Sequence, residues 1–160
     1  MTPQKTETGG LAPMCTSTPG SSISNGGQSD KDERDTRCLL VDDNDINIKV
    51  LSALMRKLGI DYQTARNGKE ALDVFSQNPG AYICILMDIS MPVMDGFEAT
   101  RCIRAFEIKE CLQPVSIIAL SGLSSDEAHR EAFESGMDLF LTKPVKLMTL
   151  KDLLQSRGII

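Results

Sequence analysis

Short apolar runs alternate with stretches of helical apolar spacing through most of the chain. The run from Tyr82 to Met87 has six consecutive apolar residues, which is typical of a strand buried on both faces. Strands that alternate with helices in this way predict a parallel sheet with right-handed crossovers. We therefore expect an α/β fold with a doubly wound, five-stranded parallel sheet. The predicted strands are Cys38–Val41, Tyr62–Ala65, Tyr82–Met87, Val115–Leu120 and Leu139–Leu141. The predicted helices are Asn44–Leu58, a second that starts at Asn67 and is ended by Asn78-Pro79-Gly80, Phe97–Ile108, Ser125–Ser135 and Leu147–Gln155.

Residues 1–36 differ in composition from the rest of the chain. They are rich in Ser, Thr, Gly and Pro, and their few apolar residues have no periodic spacing. Such a segment cannot bury enough apolar surface to offset the entropy lost on ordering. We expect residues 1–36 to be a disordered tail or linker, residues 37–156 to be one folded domain, and residues 157–160 to be its C-terminal end.

Charge and hydropathy exclude several classes of protein. The net charge is −5, so a concentrated basic surface for nucleic acid is not expected. The longest apolar run is far too short to cross a bilayer, and no apolar stretch follows the first residues as in a secretory signal. We therefore expect no nucleic-acid partner and no membrane association. The expected location is the cytoplasm, with the nucleus as the alternative.

Polar side chains follow four of the predicted strands. Asp42 and Asp43 follow the first strand, Asp88 the third, Ser121 the fourth, and Lys143 comes shortly after the fifth. Sheets of this class bind ligands at the carboxyl ends of their strands. If the strand order places the first, third, fourth and fifth strands together, these side chains converge on one crevice.

Three carboxylates in one crevice repel one another, and a hard divalent cation relieves that repulsion. Mg²⁺ takes oxygen ligands and commonly shares its coordination shell with a phosphate. Together with Lys143, such an ion would neutralise the three acids. One carboxylate can then act as a nucleophile toward phosphorus, while the cation, a lysine and a hydroxyl stabilise the transferred group. Asp88 is the best candidate nucleophile because it follows the most apolar strand.

Simpler interpretations exist for several of these residues. Asp42 and Asp43 could cap the first helix, and Asp95 is expected to cap a helix rather than to bind a ligand. His129 lies in a polar helical stretch and is expected to be solvated. For one group of residues on the first helix, peripheral packing and a docking patch for a phosphodonor remain open alternatives: Ile46, Ile48 and Met55.

Four motifs occur in a fixed order and spacing. They are VDDN at 41–44, MDISMPVMDG at 87–96, ALSG at 119–122 and LTKP at 141–144. Together they resemble the receiver domain of two-component response regulators over essentially all of residues 37–156. The stretches DDNxxN at 42–47 and MDGFEATR at 94–101 are most similar to receivers of eukaryotic-type hybrid histidine kinases, as in fungi and plants.

The resemblance implies a flavodoxin-like (βα)5 fold and a role for each matching residue. Asp88 would accept a phosphoryl group, and Asp42, Asp43, Asp88 and the backbone carbonyl of Ser90 would hold Mg²⁺ or, alternatively, Mn²⁺. Asp42 would act mainly through water. Ser121 and Lys143 would contact the phosphoryl oxygens, with a cis peptide bond expected between Lys143 and Pro144. Phe140 would be the switch residue.

The resemblance also implies partners and a phosphorelay role in signal transduction. The phosphodonor would be a histidine-containing phosphotransfer protein or a histidine kinase. A downstream effector would read the surface formed by the fourth helix, the fifth strand and the fifth helix. The chain would catalyse only its own phosphorylation and dephosphorylation, since no kinase domain is recognisable. It would be a stand-alone regulator or an excised part of a hybrid kinase.

Other functions on a similar sheet fit the sequence less well. A phosphatase or mutase with an aspartyl nucleophile uses an Asp-x-Asp motif, whereas Ile89 and Ser90 follow Asp88. A nucleotide-binding module would need a glycine-rich phosphate loop, and neither common form occurs. A receiver that only binds partners is disfavoured because the acids, Ser121 and Lys143 are all present.

Overall fold

The computed structural model describes residues 37–160, and the predicted tail of residues 1–36 lies outside the described residues. In the described part, parallel strands form one sheet in the order β2-β1-β3-β4-β5, with helices between them. This confirms the predicted fold class. The strands are β1 Arg37–Val41, β2 Asp61–Ala65, β3 Tyr82–Asp88, β4 Ser116–Ser121 and β5 Leu139–Thr142. The helices are α1 Asp45–Leu58, α2 Gly68–Gln77, α3 Gly96–Lys109, α4 Asp126–Ser135 and α5 Leu147–Ser156, with a 3₁₀ turn at Pro79–Ala81.

The register of the central strands brings the carboxyl ends of β1 and β3 together. Val41 of β1 pairs with Met87 of β3, so the next residues, Asp42 and Asp88, leave adjacent strands side by side. On the other flank of β3, Asp88 pairs with Leu120, the residue before Ser121. The observed strand order therefore brings these side chains together. The sequence predicted this convergence only if the first, third, fourth and fifth strands lie side by side.

Apolar side chains fill a core on each face of the sheet. One core contains side chains of the sheet together with side chains of α2, α3 and α4, among them Phe75 and Ile103. The other contains side chains of α1 and α5 packed on the same strands. Ile48 and Met55 belong to this second core, at 9% and 0% exposure, so the docking-patch alternative is wrong for these two residues.

Helix caps explain where α1 and α3 begin. The side chain of Asn44 accepts hydrogen bonds from the first backbone N–H groups of α1, and Gly59 ends that helix in the left-handed conformation. Asp95 caps α3 by accepting from the N–H of Glu98 at 2.8 Å. The expectation that Asp95 is a helix cap is thus confirmed.

A network of ion pairs that sequence reasoning missed joins α3 to the strands beside it. The guanidinium of Arg104 donates to Glu107 Oε2 at 2.8 Å and to Asp138 Oδ2 at 2.9 Å. It also donates to the carbonyl oxygens of Gly136 and Val115, both at 2.9 Å. We call Arg104, Glu107 and Asp138 the arginine cluster.

No long apolar helix capable of spanning a membrane occurs among residues 37–160.

Candidate functional site

Three carboxylates converge at the carboxyl edge of the sheet. The side chains of Asp42, Asp43 and Asp88 offer oxygen atoms that all lie within 4.8 Å of one another. Asp42 and Asp88 are buried, whereas Asp43 is exposed. This donor set consists of hard oxygen ligands and opens to solvent on one side, and it therefore suits an ion such as Mg²⁺ that retains several waters.

Lys143 bridges the two buried acids. Its Nζ lies 2.7 Å from Asp42 Oδ2 and 3.1 Å from Asp88 Oδ1. The Lys143–Pro144 peptide bond is cis, as expected. We call Asp42, Asp43, Asp88 and Lys143 the acidic cluster. One lysine faces three carboxylates here, so the cluster retains negative charge that a divalent cation would balance.

The second oxygen of Asp42 has partners at the start of α1. Asp42 Oδ1 accepts from the backbone N–H of Asn44 at 2.9 Å and from Nδ2 of Asn47 at 3.4 Å. With Lys143 on its other oxygen, the carboxylate is held from both sides. Sequence reasoning gave Asn47 no role in the site, although its position in the first turn of the helix after the Asp pair was a usable signal.

The acidic cluster shifts the pKa values of two of its members. Burial, and after it the neighbouring charge of Asp42, raises the pKa of Asp88 above its usual value, and Lys143 offsets this only in part. Burial lowers the pKa of Lys143, but its hydrogen bond to Asp42 and the charge of Asp88 outweigh burial, so that the pKa of Lys143 is raised. Metal-free protein thus resists ionising Asp88 and favours the charged lysine.

Ser121 and Ser90 line the same cleft, which has a volume of about 390 Å³. Ser121 is buried, and its Oγ accepts from the N–H of Leu123 at 3.0 Å, which leaves its own proton free to be donated. The N–H of Ser90 donates to Asp88 Oδ1 at 3.3 Å. The sequence-predicted acids, Ser121, Lys143 and Ser90 therefore all meet in one place.

Phe140 lies on β5 beside the cleft and is half-buried. The side-chain ring of His129 covers it, which the sequence did not predict. The imidazole of His129 on α4 stacks on Phe140 with ring centroids 3.7 Å apart and planes inclined by 23°. His129 is half-buried. The expectation that His129 is simply solvated was wrong, because the polar residues around it in sequence do not reveal the aromatic ring that β5 presents to α4.

Comparison with known proteins identifies the class. The sequence model of the family described as response regulator receiver domain matches residues 38–155. The chain therefore belongs to the response regulator receiver family. A curated relative, hybrid signal transduction histidine kinase L of Dictyostelium discoideum, is 38% identical over 123 residues, which are 76% of this chain and 7% of the relative. Histidine kinase 5 of Arabidopsis thaliana is 35% identical over 148 residues, covering 78% of this chain and 16% of the relative.

The fold of this chain is similar to those of solved receiver domains. The co-crystal structure of the Saccharomyces cerevisiae histidine phosphotransfer protein Ypd1 with the receiver domain of Ssk1 matches with a TM-score of 0.72 at 35% identity, covering 77% of this chain and 88% of that chain. The receiver domain of the sensor histidine kinase PA1611 from Pseudomonas aeruginosa PAO1, with magnesium in its active site cleft, matches with a TM-score of 0.68 at 36% identity, covering 78% and 97%.

Proposed function

We propose that Asp88 accepts a phosphoryl group from a phosphohistidine on a partner protein and that this transfer requires Mg²⁺. The observation that carries the proposal is the acidic cluster, in which Asp88 lies beside two more carboxylates and within 3.1 Å of Lys143. The raised pKa of Asp88 adds support, because a bound cation would restore the ionised, nucleophilic carboxylate.

The metal would be held by oxygen atoms of this chain. Asp43 and Asp88 are the direct carboxylate ligands in the proposal, Asp42 acts mainly through water, and the Ser90 carbonyl completes the protein's share. The occupied oxygens of Asp42 support its indirect role, since both already accept hydrogen bonds. When bound, the cation would neutralise charge on the phosphoryl oxygens, and Mn²⁺ is an alternative ion.

The transfer itself is a displacement at phosphorus. A carboxylate oxygen of Asp88 forms the new P–O bond as the P–N bond to the donor imidazole breaks, and the nitrogen keeps the electron pair. Lys143 then exchanges part of its contact with Asp42 and Asp88 for a phosphoryl oxygen. The hydroxyl of Ser121 donates a hydrogen bond to another oxygen of the group. The chain in this way catalyses its own phosphorylation, and later its own dephosphorylation, without a kinase domain.

Phosphorylation is proposed to change a surface that Phe140 borders. As Ser121 engages the phosphoryl group, Phe140 reorients, and the surface formed by α4, β5 and α5 presents a different shape to an effector. The closeness of Phe140 to Lys143, three residues apart and beside a common groove, supports this connection.

The proposed donor is a histidine-containing phosphotransfer protein or a histidine kinase. Two findings support this: the similar Ssk1 receiver was crystallised with the phosphotransfer protein Ypd1, and exposed apolar side chains lie on elements that border the cleft. Ile46 on α1, Val93 after β3 and Leu123 after β4 are 70%, 82% and 74% exposed. The proposal assigns the receiver to residues 37–156. A cytoplasmic location, with the nucleus as the alternative, stays a prediction.

The test is labelling with a small phosphodonor in the presence and absence of Mg²⁺. We expect an acid- and base-labile phosphoryl mark on Asp88 that requires Mg²⁺ and is lost in Asp88→Asn. Asp95→Asn is the matched control, because it removes a nearby acid outside the cleft while asparagine still caps the helix. A label that persists in Asp88→Asn contradicts the proposal, and steady turnover of the donor without a stable mark favours a phosphatase instead.

A further inference from the structure

The loop between β3 and α3, residues 89–95, contains a strained backbone. Val93 has a φ of 71°, which is unusual for a β-branched residue. The N–H of Met94 donates to the carbonyl of Pro92 at 2.8 Å, so Val93 is the central residue of a γ-turn. Its side chain is 82% exposed and offers little packing in return. Such strain persists only where surrounding structure imposes it.

Two glycines donate backbone hydrogen bonds to this loop from opposite sides. The N–H of Gly96 donates to the carbonyl of Ile89 at 3.1 Å, and a Cβ at Gly96 would lie 2.3 Å from the carbonyl oxygen of Asp88. On the far side, the N–H of Gly68 donates to the carbonyl of Met94 at 3.0 Å. A Cβ at Gly68 would lie 2.6 Å from that same oxygen, a separation real side chains do not adopt.

The first turn of α2, which contains Gly68, is itself fixed. Asn67 Oδ1 accepts from the N–H of Glu70 at 2.9 Å, and Glu70 Oε2 accepts from the N–H of Arg66 at 2.9 Å. The guanidinium of Arg66 pairs with Asp45 at the start of α1. These contacts give the start of α2 a defined position, from which its backbone supports the loop.

We propose that Gly68 is a positioning residue for the phosphoryl-transfer site. Its missing side chain allows α2 to seat directly against Met94 and keeps the γ-turn at Val93 closed, which fixes Ser90 relative to Asp88. The proposal rests on the proposed function, because it concerns the Ser90 carbonyl as a metal ligand. Only three residues separate Ser90 from Met94, so a displaced Met94 carbonyl shifts Ser90 as well, and small displacements in such sites are costly.

The direct test is Gly68→Ala, assayed by Mg²⁺ titration and by the labelling rate with a small phosphodonor at a temperature where every variant is folded. We expect the Mg²⁺ dissociation constant to rise about tenfold, at the low end of effects found for residues that support ligands. Gly80→Ala is the matched control, since a Cβ there meets no atom within 4 Å, and it should bind Mg²⁺ like the wild type.

Two further variants separate positioning from general stability. Phe75→Leu removes buried volume from the same helix and should lower the melting temperature while leaving Mg²⁺ affinity within about twofold. Val93→Gly relaxes the strained turn, so combined with Gly68→Ala it should recover part of the lost Mg²⁺ affinity. If Gly68→Ala alone does not fold, Ala99→Gly is added to both proteins that are compared. This second change removes the 2.8 Å contact to Ala99 Cβ and leaves those to the carbonyl oxygens of Met94 and Asp95, at 2.6 and 2.9 Å.

The outcomes distinguish this proposal from the one on which it rests. A wild type that binds Mg²⁺ and is labelled, together with a Gly68→Ala variant that does both equally well, overturns the positioning role alone. An equal loss of Mg²⁺ affinity in Phe75→Leu also overturns it, because the effect would then be one of stability. A wild type that neither binds Mg²⁺ nor becomes labelled overturns the proposed function, and the positioning role with it.

Discussion

The acidic cluster and the arginine cluster both contain ion pairs, yet they differ in how their polar groups are satisfied. In the arginine cluster, Arg104 donates to two acids and two backbone carbonyls, and Glu107 Oε1 also accepts from the N–H of Val115 at 2.8 Å. In the acidic cluster, Lys143 is shared between two buried acids at 2.7 and 3.1 Å, and the exposed Asp43 adds further charge.

This difference separates a structural ion-pair network from one arranged for chemistry. The arginine cluster uses its charges to complete hydrogen bonds between elements, and nothing in it calls for a ligand. The acidic cluster holds more negative charge than its lysine balances. Burial, followed by the charge of Asp42, raises the pKa of Asp88 there. Removing either cation should therefore destabilise the metal-free protein, whereas removing the acid Asp88 should stabilise it.

The largest expected effect is on stability, from Arg104→Met. The substitution leaves the buried Glu107 without its cation and two carbonyls without their donor. We expect a loss of about 4 kcal/mol in the free energy of unfolding, measured with urea, and unchanged Mg²⁺ affinity in the folded protein. Lys109→Met, on an exposed position of the same helix, should change stability little. A loss below about 1 kcal/mol for Arg104→Met would mean that this network is not structural.

Lys143→Met comes next and should affect both stability and chemistry. In metal-free protein we expect a loss of about 2 kcal/mol, because Asp42 and Asp88 lose their shared cation. Since the pKa of Lys143 is raised in the folded state, its contribution is complete below the unfolded pKa and is lost only as pH rises through the folded one, so the loss should be constant near neutrality. Labelling of Asp88 should slow about 100-fold. A variant labelled at the wild-type rate would contradict the role assigned to Lys143.

Asp88→Asn should do the reverse and stabilise the metal-free protein at pH 7, because asparagine removes a carboxylate whose ionisation is opposed by burial and by the charge of Asp42. The folded-state pKa of Asp88 is raised, so wild-type stability decreases as pH rises from the ordinary value of 3.8 through the folded value. The gain should therefore vanish in acid, where the wild-type carboxyl is protonated, and saturating Mg²⁺ should reverse the order of the two proteins. Urea unfolding at several pH values measures this. A metal-free variant that is less stable at pH 7 would show that Lys143 outweighs burial.

The smallest expected effect concerns backbone strain, which also differs between the two regions. Beside the arginine cluster the positive φ of 104° belongs to Gly136, whereas beside the acidic cluster the value of 71° belongs to Val93. Val93→Asn should raise the free energy of unfolding by about 1 kcal/mol, because asparagine tolerates this conformation. Leu123→Asn, at another exposed loop position, is the control and should change stability little. No gain at Val93 would mean that the turn stores no strain.

The fold and the composition of the acidic cluster could be predicted because both depend on local sequence. Continuous apolar runs define buried parallel strands, and the residues just after them must meet at one edge once the strand order is known. It was harder to predict which residues of α1 are buried. Ile48, Leu51, Ser52 and Met55 recur at the spacing of a single helical face, and the structure buries all four.

The remaining features depend on contacts that no local pattern encodes. Arg104 meets Asp138 across 34 positions of sequence, and His129 meets Phe140 only because α4 packs over β5. The support that Gly68 gives to Met94 likewise depends on how α2 approaches a loop of another βα unit. These are tertiary contacts, and sequence periodicity carries no signal for them.

The central claim is tested most directly by transfer from a phosphorylated histidine phosphotransfer protein. The donor is labelled on its histidine and mixed with the wild type, Asp88→Asn or Asp95→Asn, each with Mg²⁺ or with a chelator. We expect the label to move to the wild type and to Asp95→Asn only when Mg²⁺ is present, and to remain on the donor with Asp88→Asn. Label that reaches Asp88→Asn, or that moves equally well without Mg²⁺, would contradict Asp88 as the metal-dependent phosphoacceptor.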